Sequence, residues 1–475
     1  GLAVSGSGDI TSFSAVNGGT EPVIATIVVT PIFEGCDGPV ETFTITVNPT
    51  AEMNDPADIV VCDAEVTDIV DFTTDNTGGE TTYSWINDMP AIGLSVSGSG
   101  NLPSFTAINT GTEPIVATIE VTPLFTDDIN CDGISETFTI TVNPTAQVDQ
   151  PADLVICDGE TTSITFTTEN TGGTTTYSWE NDTPSINLSS SGNGNIESLN
   201  VSNSGTSPVA ATVTVTPTFE NGGVTCQGNS QTFTITVNPS SQVDEIEDQF
   251  LCNEETTTAI TFNTQNNSQE GTTIYTWVND TPSIGLASSG SGDITSFTGI
   301  NNSTLPITAT ITVTPSYTNE GLSCDGPEEI FTITVNPTAQ VEDPQDQIIC
   351  NAETTSVEFN TENTGGTTTY SWSNDNIAIG LGDLGVGNIS SFAGVNEGTS
   401  PIIANITVIP TFTDNGVSCT GPAKTFTITV NPTAQVDQID SQILCNDEQT
   451  TLISFTTENT LGTTTYTWAN DTPAI

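Results

Sequence analysis

Asn-Pro recurs at Asn48, Asn143, Asn238, Asn336 and Asn431, at steps of 95, 95, 98 and 95 residues, and Trp85, Trp179, Trp277, Trp372 and Trp468 keep the same beat. Self-similarity at a fixed period of this length means one fold repeated in series. Each period is long enough to bury its own core, since single domains become stable from about 50 residues. The predicted boundaries are 1–48 for the C-terminal part of one repeat, 49–143, 144–238, 239–336 and 337–431 for four complete repeats, and 432–475 for the N-terminal part of another. The closing run Trp468-Ala-Asn-Asp-Thr-Pro-Ala-Ile475 continues into Gly1-Leu-Ala-Val-Ser-Gly-Ser-Gly8 as Trp85 to Gly100 does internally, so the sequence reads as a window on a longer array.

Within 144–238, apolar residues alternate with Thr or Ser in Ser163–Thr168, Thr175–Trp179, Ala211–Thr216 and Gln231–Val237. Period two puts one face of each stretch into a core and the other into water. Thr171-Gly-Gly173, Ser191-Gly-Asn-Gly194 and Asn221-Gly-Gly223 carry turn chemistry. With Asp153–Ile156, the stretch near Ile186 and Leu188, and Ile196–Val201, the pattern predicts about seven strands and no helix. The expected fold is all-β, a tandem array of immunoglobulin-like antiparallel β-sandwiches forming an extended rod. The predicted core is Ile164, Phe166, Tyr177, Trp179, Val213, Val215, Phe233, Ile235 and Val237. Pro217, repeated as Pro31, Pro123, Pro315 and Pro410, is expected to end or bulge a strand.

Charge narrows the function. Fifty-nine carboxylates face one cation, Lys424, with no His or Arg, for a net charge of -58. Such a polyanion is repelled by phosphate backbones and anionic headgroups, which excludes nucleic acid and membrane-surface partners. No apolar run of about 18 residues exists to enter a bilayer. Without His or Arg there is no Ser-His-Asp or Cys-His arrangement and no phosphate clamp, and the carboxylates recur in every repeat rather than marking one catalytic pair. The chain reads as a non-enzyme.

The run Thr-Phe-Thr-Ile-Thr-Val-Asn-Pro, a Cys near the start of the next unit, then Tyr-x-Trp-x-Asn-Asp and Ser-Gly-x-Gly-x-Ile resemble the PKD-like or Ig-like repeats of very large cell-surface adhesins of Bacteroidota, including the mobile gliding adhesins of flavobacteria. The sequence departs from ordinary PKD domains, which carry Trp-Asp-Phe-Gly-Asp-Gly where this chain has Trp179-Glu-Asn-Asp-Thr-Pro184. The resemblance implies export across the outer membrane by type IX secretion machinery, an outer-membrane anchor, and an extracellular place at the cell surface.

Ten cysteines at two places in the repeat point to disulfides and an oxidising compartment. Pairing within a repeat gives Cys62–Cys131, Cys157–Cys226, Cys252–Cys324 and Cys350–Cys419, the default for small secreted domains. Pairing across 26 residues, as in Cys36–Cys62, satisfies all ten but asks a loop at the far end of one repeat to reach well into the next. A further register follows from topology. If one cysteine ends the first strand and the other precedes the last, the two lie at opposite ends of a sandwich, beyond the Cα separation of about 4.4–6.8 Å that a disulfide needs. In a stack, Cys62 would then meet Cys226, Cys157 would meet Cys324 and Cys252 would meet Cys419.

Acidic residues gather after each Asn-Pro, among them Asp149 and Asp153, Asp244 and Asp248, Asp343 and Asp346, and Asp437 and Asp440. Each Trp is followed by an Asn-Asp pair that includes Asp88, Asp182, Asp280 or Asp375, at the end of the third strand. Hard oxygen donors from both sides of a joint would hold Ca2+ and stiffen it; the competing reading is solubility plus turn formation. The reading that unites these features is the stalk of a surface adhesin or filament, its partners being neighbouring repeats of the same chain, projecting a binding tip for adhesion or gliding. The alternatives are a subunit of a matrix or pilus-like fibre, and a glycan-binding repeat array.

Overall fold

The computed structural model describes residues 1–473; Ala474 and Ile475, which close the predicted segment 432–475 and its seam to Gly1, lie outside the described residues. Internal contacts divide the chain into two units, the first Gly1–Pro239 and the second beginning at Ser240. Four separate cores are buried among the described residues, two in each unit, and each core with its strands makes one module.

The module at 144–238 represents all four. Its strands are β1 (Leu154–Cys157), β2 (Thr161–Ile164), β3 (Thr174–Asn181), β4 (Ser191–Asn193), β5 (Ile196–Asn200), β6 (Val209–Asn221), β7 (Val224–Gln227) and β8 (Gln231–Asn238). One sheet runs in the order β1-β8-β6-β3-β4, with β7 pairing the far half of β6, and β2–β5 forms the facing layer. β1 is parallel to β8, and the remaining pairs are antiparallel. This is an Ig-like sandwich. In 49–143 the facing layer is reduced to the bridges Val66↔Thr106 and Val70↔Leu102.

Alternation fills the space between the layers. Phe166, Trp179, Val213, Val215, Phe233, Ile235 and Val237 are buried, and Ile164 and Tyr177 pack partly buried against them. Phe166 lies 5.5 Å from Tyr177 and 6.2 Å from Phe233, in tilted and edge-on arrangements that rings favour. Most of the intervening threonines face outward, where a β-branched side chain suits a pleated surface, although Thr236 is buried.

Three local expectations change. Pro217 neither ends nor bulges its strand. It sits inside β6 opposite Tyr177, at the point where pairing passes from β8 to β7, so the N–H it lacks has no ladder partner to lose, and its carbonyl accepts from Gly228 N at 3.0 Å. Only near Pro31 does the strand stop, between Val23–Val29 and Ile32–Phe33. Near Ile186 the chain makes a short 3-10 turn, Pro184–Ile186, rather than a strand. Ser191-Gly-Asn, expected as a turn, is edge strand β4. A Cβ on Gly192 would lie 2.2 Å from Trp179 Cζ2, so glycine lets β4 close against the indole face. The same relation recurs at Gly98 with Trp85, Gly290 with Trp277 and Gly385 with Trp372.

Candidate functional site: the joint between modules

Within the first unit, three elements of module 144–238 meet the end of module 49–143. The first is the β6–β7 hairpin tip. Asn143, the last residue of the preceding module's final strand Glu136–Asn143, is fully buried. Its Nδ2 donates to Asn221 O at 3.0 Å, while Asn221 Nδ2 donates to Asn143 Oδ1 at 2.9 Å. Asn143 O accepts from Asp63 N at 2.9 Å, so one residue ties the hairpin to the chain just beyond the edge strand Ile59–Cys62 of its own module. The following Pro144 holds Asn143 extended and turns the chain out of the sheet.

The second element is the turn before β3. Thr171 N donates to Thr112 O at 2.9 Å, and Asn170 Nδ2 reaches Thr112 O at 3.4 Å and Thr145 O at 3.3 Å. Gly172 takes a φ of +76°, and a Cβ there would sit 2.8 Å from Pro114 Cδ. A left-handed backbone and a close approach both call for glycine.

The third is covalent. Cys62, the end of the strand Ile59–Cys62, is bonded to Cys226 of β7, with Cα atoms 5.6 Å apart across 164 residues of sequence. In the second unit Cys252 is bonded to Cys419 across 167 residues, with a Cα separation of 5.5 Å. These bonds correct the pairing within repeats. Cys62–Cys131, Cys157–Cys226, Cys252–Cys324 and Cys350–Cys419 do not form, because the strand cysteine lies at the end of a module facing the next one and the hairpin cysteine at the end facing the previous one. Neither Cys157 nor Cys324 is free, whereas Cys36, Cys131, Cys350 and Cys445 are.

The same joint is built elsewhere inside each unit. Asn48 Nδ2 donates to Asp127 O at 2.7 Å and Thr77 N to Thr20 O at 2.8 Å. In the second unit Asn336 Nδ2 donates to Asp414 O at 3.3 Å, Thr364 N to Thr304 O at 3.0 Å, and Thr460 N to Thr399 O at 2.7 Å. One difference is instructive. Where the tip residue is Asp instead of Asn221, nothing donates back, and the buried Oδ1 atoms of Asn48 and Asn336 have no hydrogen-bond partner.

Most of the acidic residues expected to hold Ca2+ are engaged elsewhere. Asp153 Oδ1 accepts from Thr234 N at 2.7 Å, continuing the β1–β8 ladder where β1 has not yet begun; Asp248 on Thr332 N and Asp346 on Thr427 N do the same at 2.6 Å. At the far end of the third strand, Asp88, Asp182, Asp280 and Asp375 accept from Thr118, Thr212, Thr310 and Asn405 N at 2.7, 2.8, 2.8 and 2.7 Å. The backbone amides of Thr234, Thr212, Thr310 and Thr427 hold the carboxyls of Asp153, Asp182, Asp280 and Asp346 below the usual carboxylate range; for Asp375 the Asn405 side-chain amide does most of this. Asp149 and Asp437 accept from Thr167 and Thr456 hydroxyls at 2.5 and 2.6 Å. Asp343 meets Lys424 at 2.7 Å across an exposed ion pair. Asp244 donates its backbone N–H to Asn263 O at 2.9 Å, and Asp440 lies in irregular chain. Among the described residues no three His, Cys, Asp or Glu side chains converge on a common point, so the Asn-Asp pairs and the acidic starts of the modules do not combine into a cation site.

A set of buried asparagines has a role that the sequence did not show, Asn181 having been read only as half of an Asn-Asp pair. Asn203 is 5% exposed; its Nδ2 donates to Ser207 O and Val237 O at 2.8 and 2.7 Å, and its Oδ1 accepts from Gly205 N at 3.0 Å. Asn181 binds Leu188 O and Thr183 N in the same manner. Their periodic recurrence before Gly-Thr or after Trp is visible in the sequence. What hides their role is that the groups they satisfy lie in loops and, for Asn203, in the distant strand β8.

No protein-family model matches the chain, and no curated protein does. Among solved structures it is similar to Drosophila N-cadherin EC1-4, at 12% identity over 79% of this chain and 99% of that one, with a TM-score of 0.26. It is similar also to Sidekick-1 immunoglobulin domains 1-5, at 12% identity over 87% of this chain and 96% of that one, TM-score 0.22. The insect immune protein hemolin matches at 11% identity over 81% of this chain and all of its own, TM-score 0.21.

Proposed function

We propose that the chain is a segment of the stalk of a secreted, surface-anchored adhesin or filament, a structural and non-catalytic part whose task is to hold its modules in fixed series. The observation that carries this reading is the joint. Every joint inside a unit uses a turn on the preceding module's threonine carbonyl, three also seat a hairpin tip on the Asn that ends the preceding module, and two carry a disulfide. Flexible linkers would need none of this. Disulfides suit the extracellular medium, and a surface with almost no cations suits a filament that must not stick to its neighbours or to anionic envelopes. The motif resemblance supports a bacterial, PKD-like source exported by type IX secretion, and gliding motility as the process served.

The test is an antibody against one module applied to intact cells that make the protein. Surface label on unpermeabilised cells is expected; label that travels along the cell identifies a gliding adhesin, and fixed label a static stalk. Label seen only after lysis overturns the proposal.

A further inference from the structure

We infer that the intermodular disulfides form a covalent shunt, carrying tension past the sandwich cores so that no complete module can unravel while the bonds hold. Connectivity sets the load path. The Cys62–Cys226 bond closes a loop of 164 residues that contains module 49–143 beyond its first strand and the next module as far as β7. Cys252–Cys419 closes a matching loop of 167 residues. Tension applied to the chain ends therefore follows a short route. It enters by the strand Ile59–Cys62, crosses to Cys226, runs through β8, leaves by Gln249–Cys252 and crosses again to Cys419.

Between the two crossings only residues 226 to 252 carry load. Eight of them are in β8 and four in Gln249–Cys252, extended already. Pulled straight, such a segment spans roughly 86–94 Å at about 3.3–3.6 Å per residue. A module is about as long as its longest strand: the 13 residues of β6 cover roughly 44 Å at about 3.4 Å each. Twelve of the residues from 226 to 252 already lie in β8 and Gln249–Cys252, so little length on this path is left to be drawn out. A disulfide within a single module would leave the neighbouring modules to bear load by their hydrogen-bond ladders alone.

This inference rests on the stalk reading only in supposing that tension is the load met in service; the connectivity holds regardless. Single-molecule pulling on the full chain, tethered at both ends, tests it before and after reduction with a phosphine. In the oxidised chain the two loops stay hidden, and the fully stretched length is expected to correspond to roughly a third of the residues. Reduction should release about 330 further residues, on the order of 1,100–1,200 Å at the extended-chain rise. A paired variant, Cys62→Ser with Cys226→Ser, should extend further than the parent chain without reductant but by less than full reduction releases. Successive steps of about 95 residues, each roughly 310–340 Å, in the oxidised chain would overturn the inference. That outcome leaves the cell-surface test of the stalk untouched, and failure of the surface test leaves the pulling result standing.

Discussion

At the scale of single residues, the acidic side chains do more than solvate the surface. Asp153 and Asp182 stand where a strand has not begun or has just ended, and each supplies the acceptor that the next ladder position lacks. A carboxylate accepting a backbone N–H is favoured in its charged form, so its folded pKa falls below the unfolded value. The stabilisation is then present above the unfolded pKa, about 3.9 for Asp, and is lost as pH falls through the lowered folded value. Asp153→Asn is accordingly expected to lower the melting temperature at neutral pH, with the gap from the parent chain closing below about pH 4, as read by circular dichroism melts across pH. A second residue-scale case is the tip at Asp414, which cannot return a hydrogen bond to the buried Oδ1 of Asn336. Asp414→Asn should reproduce the reciprocal pair of Asn143 and Asn221 and raise stability by about 1 kcal/mol, seen as a higher denaturant midpoint. Unchanged unfolding would mean that Oδ1 is satisfied by solvent.

At the scale of elements, the strands and the core of each module were legible because alternation of Thr with Ile, Val or Phe states both the period and the buried face. The errors have local physical causes. Proline inside β6 looked like a stop, since sequence does not reveal that the strand changes partner there. Ser-Gly-Asn looked like a turn because its glycine is there for the indole it packs against, and that contact lies across the sheet. Gly192→Ala should cost about 1–3 kcal/mol by forcing Trp179 or β4 to move, with a shifted tryptophan emission; an unmoved spectrum and unchanged stability would contradict this packing. The joint was the least legible element. Its partners, such as Asn143 and Asn221, are 78 residues apart, and the disulfide register depended on which end of a module each cysteine occupies.

At the scale of the whole molecule, a net charge of -58 sets up self-repulsion that salt relieves. Melting temperature should rise with sodium chloride and level off as the Debye length falls from about 8 Å to about 3 Å between 0.15 and 1 M. Calcium should add nothing beyond its ionic strength, because most of the recurrent carboxylates are engaged by backbone amides, hydroxyls or Lys424 and, among the described residues, no three converge; a sharp, chelator-reversible rise at micromolar calcium would contradict the account. Its central claim is that neighbouring modules are joined covalently, and this is most directly tested by mapping the disulfides. Lys424 being the only lysine, the oxidised chain must be cut at Asp and Glu rather than by trypsin, then analysed by mass spectrometry without reduction. The account predicts peptides linking Cys62 to Cys226 and Cys252 to Cys419; peptides linking Cys62 to Cys131 or Cys350 to Cys419 would contradict it.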